Sequence, residues 1–109
     1  MPSRMILPII IIVGLLVVSC GGGATPTPSA VDASALYETN CVPCHGANRQ
    51  GITQLGLALT PESLAALSDA EVRDAILNGR TNTAMAPFKS ILSSDEIDAL
   101  THFIKYTSP

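Results

Sequence analysis

Tryptophan is absent from this 109-residue chain, and Phe and Tyr contribute two residues each. A core built on large aromatic rings is excluded, which leaves small aliphatics to fill the interior. Charge is scarce as well: 14% of residues are charged, with six Lys or Arg against nine Asp or Glu and a formal −3. A nucleic-acid binder needs a basic face, and this balance does not supply one. Three cysteines are an odd number, so a framework of disulfides would leave one unexplained. The length allows one domain and rules out a large enzyme with a separate substrate domain.

The 47% hydrophobic content is unevenly placed. Residues 5–18 are an almost wholly apolar run behind Arg4, interrupted by Pro8 and Gly14. That length suits the apolar region of a signal peptide and falls short of the ~20 residues of a spanning helix. The run ends in Val17-Val18-Ser19-Cys20 followed by three glycines. It resembles the lipobox of bacterial lipoproteins, in which cleavage before the Cys leaves a diacylglycerol-modified N-terminus. Residues 1–19 are then a lipoprotein signal peptide and Cys20 the lipidation site. An ordinary signal peptide with an incidental Cys, or an uncleaved short anchor, is the competing reading. Export follows from each. Residues 20–32, with three glycines and two Thr-Pro pairs, read as a flexible-to-extended tether. Residues 33–109 are left to fold, few enough that an aliphatic core needs a staple.

Helical signals fill that remainder. Asp32 is a suitable N-cap for a helix carrying Leu36 and Tyr37 into Cys41. Thr60-Pro61 predicts a short helix through Leu67, with Pro at its first position. Ser68 and Glu71 form a capping box for a helix with Val72, Ile76 and Leu77 on one face and Gly79 as its stop. Ser93 and Glu96 form a second, opening a helix with Ile97, Leu100, Phe103 and Ile104 at the 3.6-residue period. Leu55, Leu57 and Leu59 alternate as in a strand but have no partner strand, and read as a loop pressing leucines onto something flat. The expected class is all-α, with about four helices.

The chemistry sits at Cys41-Val42-Pro43-Cys44-His45. Cys-x-x-Cys-His is the attachment motif of c-type haem: two thiols on one helical turn reach the porphyrin vinyl groups, and the next residue brings an imidazole under the iron. Three other readings compete. A thioredoxin-like dithiol wants a βαβ setting that this pattern lacks. A zinc site could draw on Cys41, Cys44, His45 and His102. A disulfide across so short a loop would contribute little. For the sixth iron position, Met85 is the one Met outside the leader, in a turn-rich stretch stiffened by Pro87. A lone Met is often core filler, but filler sits on a helical apolar stripe and Met85 does not. His102 reads as a partly exposed helical residue.

The order of these features resembles a class I monohaem cytochrome c over residues 33–107: an N-terminal helix, Cys41-x-x-Cys44-His45-Gly46, capped middle helices, Met85 with Pro87 and Phe88 behind it, and a C-terminal helix. The resemblance implies that the first and last helices cross, with Ala33 and Tyr37 against Leu100, Phe103 and Ile104. Family members often have Gly where Ala33 stands. They also often have Pro at Leu57, where the carbonyl accepts the proximal His Nδ1–H.

The functional expectation is a membrane-tethered single-electron carrier in a respiratory or photosynthetic chain, not an enzyme. Cys41 and Cys44 are the haem tethers, and His45 and Met85 the axial ligands. Redox proteins are the partners, the lipid anchor lies on the periplasmic or outer face of a bacterial membrane, and neither nucleic acid nor a small-molecule substrate is bound. A haem enzyme or gas sensor with a displaceable Met85, and a fixed subunit of a larger complex, are the other classes. No Asp or Glu occurs between Thr39 and Pro61 or between Ala75 and Ser94, whereas Arg49, Arg80 and Lys89 do. These three suggest a basic docking face on an acidic protein, against the plainer reading of solvated cations in apolar loops.

Overall fold

The computed structural model describes residues 30–109; the leader, Cys20 and most of the tether lie outside them. Asp32 starts α1 (Ala33–Asn40), its carboxylate accepting the Ala35 N–H at 3.0 Å. Tyr37 is the buried residue of that helix. After a break at Cys41 comes α2 (Val42–His45), four residues closed by Gly46 at φ +83°. Both expected capping boxes form. Ser68 opens α3 (Asp69–Asn78) and Ser93 opens α4 (Ser94–Tyr106), with each Glu returning a bond to its cap backbone. Asp and Glu in the first turns, and Lys105 in the last turn of α4, suit the helix dipoles.

The helix expected at residues 60–67 does not form; the segment is a run of turns. One i→i−4 bond, Leu64 N–H to Thr60 O at 3.1 Å, is followed by three-residue spacings. The cap itself is present: the Thr60 hydroxyl accepts the Ser63 N–H, and the Ser63 hydroxyl accepts the Thr60 N–H. Ser68 already caps α3, so the segment has room for only a short run. A nucleus that short has nothing to offset its cost. The place of the fourth helix is taken by α2. Among the described residues there is no strand, only an isolated bridge between Ile52 and Gly56, so residues 50–59 are the loop anticipated.

The core is small and, apart from Tyr37, aliphatic: Leu64, Val72, Ile76 and Leu92 join that ring around Ile97, Leu100 and Ile104 of α4. Helix α4 carries the packing, against α1 on one side and α3 on the other. The expected crossing is present, with the Tyr37 and Phe103 rings 6.0 Å apart. Arg73 pairs with Asp98, and Lys105 with Asp69, stitching α3 to α4 at the surface.

Arg49 corrects the sequence reading. It is not on a docking face but 2% exposed. Its guanidinium donates to Phe103 O at 3.1 Å, Ile104 O at 3.4 Å and Thr107 O, and lies 4.8 Å from the centre of the Phe103 ring. The last carbonyls of a helix lack intrahelical donors and carry partial negative charge. A buried cation is satisfied there without a carboxylate.

Candidate functional site

A cavity of about 890 Å³ opens between α1–α2, the loop 50–59, the end of α3, the segment 80–88 and the inner face of α4. Cys41, Cys44 and His45 line it together with Leu55, Leu57 and Leu59; Met85 and Phe88 line it from the later segment. Ile76, Leu92, Leu100 and Ile104 supply apolar wall from the core. Four residues singled out in the sequence, the two thiols, the imidazole and the thioether, thus border one space.

Local geometry explains how α2 presents its side chains. Pro43 sits in the first turn, where its missing N–H costs nothing. The His45 N–H and Cys44 N–H both bond Cys41 O, at 2.9 and 3.1 Å, so one tight turn carries all three side chains. Both thiols are free. Burial, and then the neighbouring Cys44, push the Cys41 thiol up to about 11. Below the turn the Tyr37 hydroxyl donates to Gly46 O at 2.9 Å. Burial pushes this phenol up to about 12, with Cys41 adding to the shift and Arg49 opposing it, so it stays a donor.

His45 Nδ1 lies 2.7 Å from Leu57 O, as expected for that carbonyl. A carbonyl only accepts, so Nδ1 carries the proton and Nε2 keeps the lone pair needed to bind a metal. Gly56 makes room for this ring. A Cβ there would fall 2.5 Å from Cys44 O and 2.9 Å from His45 Nδ1, a constraint that nothing in the local sequence marks.

The Met85 segment is held by its own backbone. Arg80 N–H bonds Met85 O at 3.0 Å, and Met85 N–H bonds the Thr83 hydroxyl at 3.1 Å. Beyond it, Phe88 and Lys89 N–H groups bond Ile76 O and Leu77 O, which fastens the segment to α3. His102, by contrast, is exposed on α4, its ring 5.0 Å from that of Tyr106. It does not border the cavity, so the four-ligand zinc set is not assembled. Among the described residues no three of His, Cys, Asp or Glu converge on a metal position. A donor set of two thiols, one singly protonated imidazole and one thioether in an apolar cavity fits a haem rather than a bare ion.

Residues 28–104 match the family described as cytochrome c oxidase, cbb3-type, subunit III. The chain belongs to this family of c-type cytochromes. Dihydro-heme d1 dehydrogenase of Pseudomonas aeruginosa is 39% identical over 87 residues, which are 80% of this chain and 17% of that protein. A solved structure of dihydro-heme d1 dehydrogenase NirN in complex with DHE is 42% identical with a TM-score of 0.66, over 71% of this chain and 16% of the other. This cytochrome therefore spans about a sixth of the dehydrogenase it matches. The c-type cytochrome NirC is 32% identical with a TM-score of 0.63, over 71% of this chain and 91% of NirC. Cytochrome c6C from Synechococcus sp. PCC 7002 is 27% identical with a TM-score of 0.57, over 71% of this chain and 95% of the other. The fold is that of a small c-type cytochrome, its cofactor is covalently bound haem c, and its function at the level of the family is electron transfer.

Proposed function

We propose that this cytochrome is a membrane-tethered single-electron carrier, with Cys41 and Cys44 as thioether tethers, His45 and Met85 as axial ligands, and Cys20 as the lipid anchor. The observation that carries the reading is the convergence of the four cavity residues with His45 Nδ1 already committed to Leu57 O. Bound haem supplies reversible one-electron chemistry at iron. The chain's own part is to hold, orient and insulate. Leu57 O fixes the tautomer of His45 and raises the basicity of Nε2. The bonds from Arg80 and Thr83 hold the Met85 backbone in one geometry, so a change of oxidation state demands little rearrangement. The apolar wall keeps water from the site and favours the form of lower charge. Were Met85 to hold the iron together with His45, its soft thioether would favour the reduced state relative to a second imidazole. No acid, base or nucleophile is assigned beyond these groups.

The partners are redox proteins of a respiratory or photosynthetic chain. Arg80 and Lys89, both exposed, remain as the basic contribution to a docking face once Arg49 is removed from it. Likeness to a segment of a dehydrogenase favours a second reading, in which this cytochrome receives electrons from an oxidative enzyme.

Optical spectroscopy with Met85→Ala tests the ligand set. The parent is expected to show the weak far-red sulfur-to-ferric-iron band and no carbon monoxide binding in the ferrous state. The variant should keep its covalent haem, lose the band and bind carbon monoxide. A band that survives the substitution refutes Met85 as ligand.

A further inference from the structure

Arg49 is the buried charged group for which electron transfer offers no use. A fully buried arginine with no carboxylate partner is costly to place, and surface residues could cap α4 more cheaply. Its connections point elsewhere. The side chain grips Phe103 O, Ile104 O and Thr107 O at the end of α4 and stacks on the Phe103 ring. The backbone of the same residue faces the proximal loop. Arg49 N–H bonds Gly46 O at 3.0 Å, the carbonyl that also accepts the Tyr37 hydroxyl. Arg49 O accepts the Leu59 N–H at 2.8 Å, two residues beyond the carbonyl bonded to His45 Nδ1. Its φ of +55° is strained for a side chain of this size, so the surroundings enforce the conformation.

We infer that Arg49 is a positioning residue for His45: by anchoring the loop 46–59 to the C-terminal end of α4, it sets the strength of the His45 Nδ1–Leu57 O hydrogen bond. The inference rests on His45 as an iron ligand. Loop residues 50–57 have few other ties to the helices. The backbone bonds of residues 51–56 are local, to His45 and within the Ile52–Gly56 bridge. With Arg49 released, Leu59 loses its fixed partner, and Leu57 O is free to draw away from the imidazole.

The iron–histidine stretching band of ferrous protein reads this bond directly, because a stronger Nδ1 hydrogen bond makes the imidazole a better donor and raises the frequency. Resonance Raman spectra in a Met85→Ala background, where the sixth position is open, would compare Arg49→Met, Arg49→Lys and Lys105→Met. Lys105 bonds Leu67 O and Asp69 near the same end of α4 but does not contact the proximal loop. The expected result is a downward shift of the band in Arg49→Met, a smaller shift in Arg49→Lys, which keeps charge without the fork of donors, and none in Lys105→Met. An unshifted band in a less stable Arg49→Met, or an equal shift in Lys105→Met, overturns the inference by reducing Arg49 to a general staple. If Arg49→Met does not accumulate, Arg49→Lys decides alone, a parental frequency counting against. Absence of any iron–histidine band from a Met85→Ala parent whose ferrous absorption spectrum is five-coordinate and high-spin overturns the ligand assignment itself, and the inference with it.

Discussion

Gly79 gives the sharpest prediction about the Met85 segment. It ends α3 at φ +68° and ψ −170°, a region that side chains other than glycine's scarcely enter. Forcing alanine into it costs about 1–3 kcal/mol. The added methyl carbon would also meet backbone on its far side, 2.4 Å from Met85 O and 2.9 Å from the Ala86 carbonyl carbon and Pro87 N. Backbone cannot rotate away as a side chain can, so an overpacking penalty of about 1–3 kcal/mol is added. A total of about 4 kcal/mol corresponds to a fall in Tm of about 16–32 °C for a domain of this size. The displaced atom is Met85 O, the acceptor of Arg80 N–H. The ferric far-red band should therefore weaken well below the unfolding transition. Thermal unfolding followed by far-UV circular dichroism, with the far-red band recorded on the same samples, is the assay. Asn78→Ala, one residue earlier, serves as control: Asn78 is exposed and loses one bond to Asp74, which should cost within about 0.5 kcal/mol. A Gly79→Ala protein within about 1 kcal/mol of the parent, with its band intact, would refute the argument.

The Asp69 carboxyl is held below its ordinary 3.8, first by the Lys105 hydrogen bond and then by that of Tyr106. A depressed carboxylate contributes stability that is present above 3.8 and lost as pH falls through its folded value. Asp69→Asn should flatten the acid limb of a urea-unfolding series below that pH, and an unchanged limb would show the pair to be idle. Arg80→Glu with Lys89→Glu should slow electron transfer to the physiological partner at low salt and leave the optical spectrum unaltered; a rate equal to the parent's excludes docking by these charges. Cys20→Ala should release the protein into the soluble exported fraction, since stable anchoring depends on the acyl chains, or leave it held by an uncleaved leader. Tight membrane association of a correctly cleaved variant would favour a docked subunit.

Features whose chemistry is local are legible in the sequence alone. Ser68 with Glu71, and Ser93 with Glu96, satisfy helix ends within four residues, so their spacing suffices. The spacing of Cys41, Cys44 and His45 is likewise a property of one turn. The role of the Leu57 carbonyl follows from family resemblance, and its 2.7 Å approach to His45 agrees. Features that depend on distant partners or on competition are not legible in this way. Thr60-Pro61 has the form of a helix start, and its cap bonds form, but the segment runs into the Ser68 cap of α3 before a helix can propagate. Arg49 has the look of a solvated loop cation because its acceptors lie 54 and more residues further on. Gly56 and Gly79 carry no mark of the atoms that crowd them. The Cys41, Cys44 and His45 positions are thus readable as a motif, while the supports that aim them are not.

The crossing of α1 with α4 has a consequence for how such a domain can be used in evolution. Tyr37, four residues into the first helix, meets Phe103, three residues from the end of the last. The first and last helices of the described domain therefore meet in one neighbourhood. A module built this way can be spliced onto another protein at either end, or hung from a lipid, without threading a connection past its redox site. Likeness both to about a sixth of dihydro-heme d1 dehydrogenase and to nearly the whole of the c-type cytochrome NirC is what such portability produces.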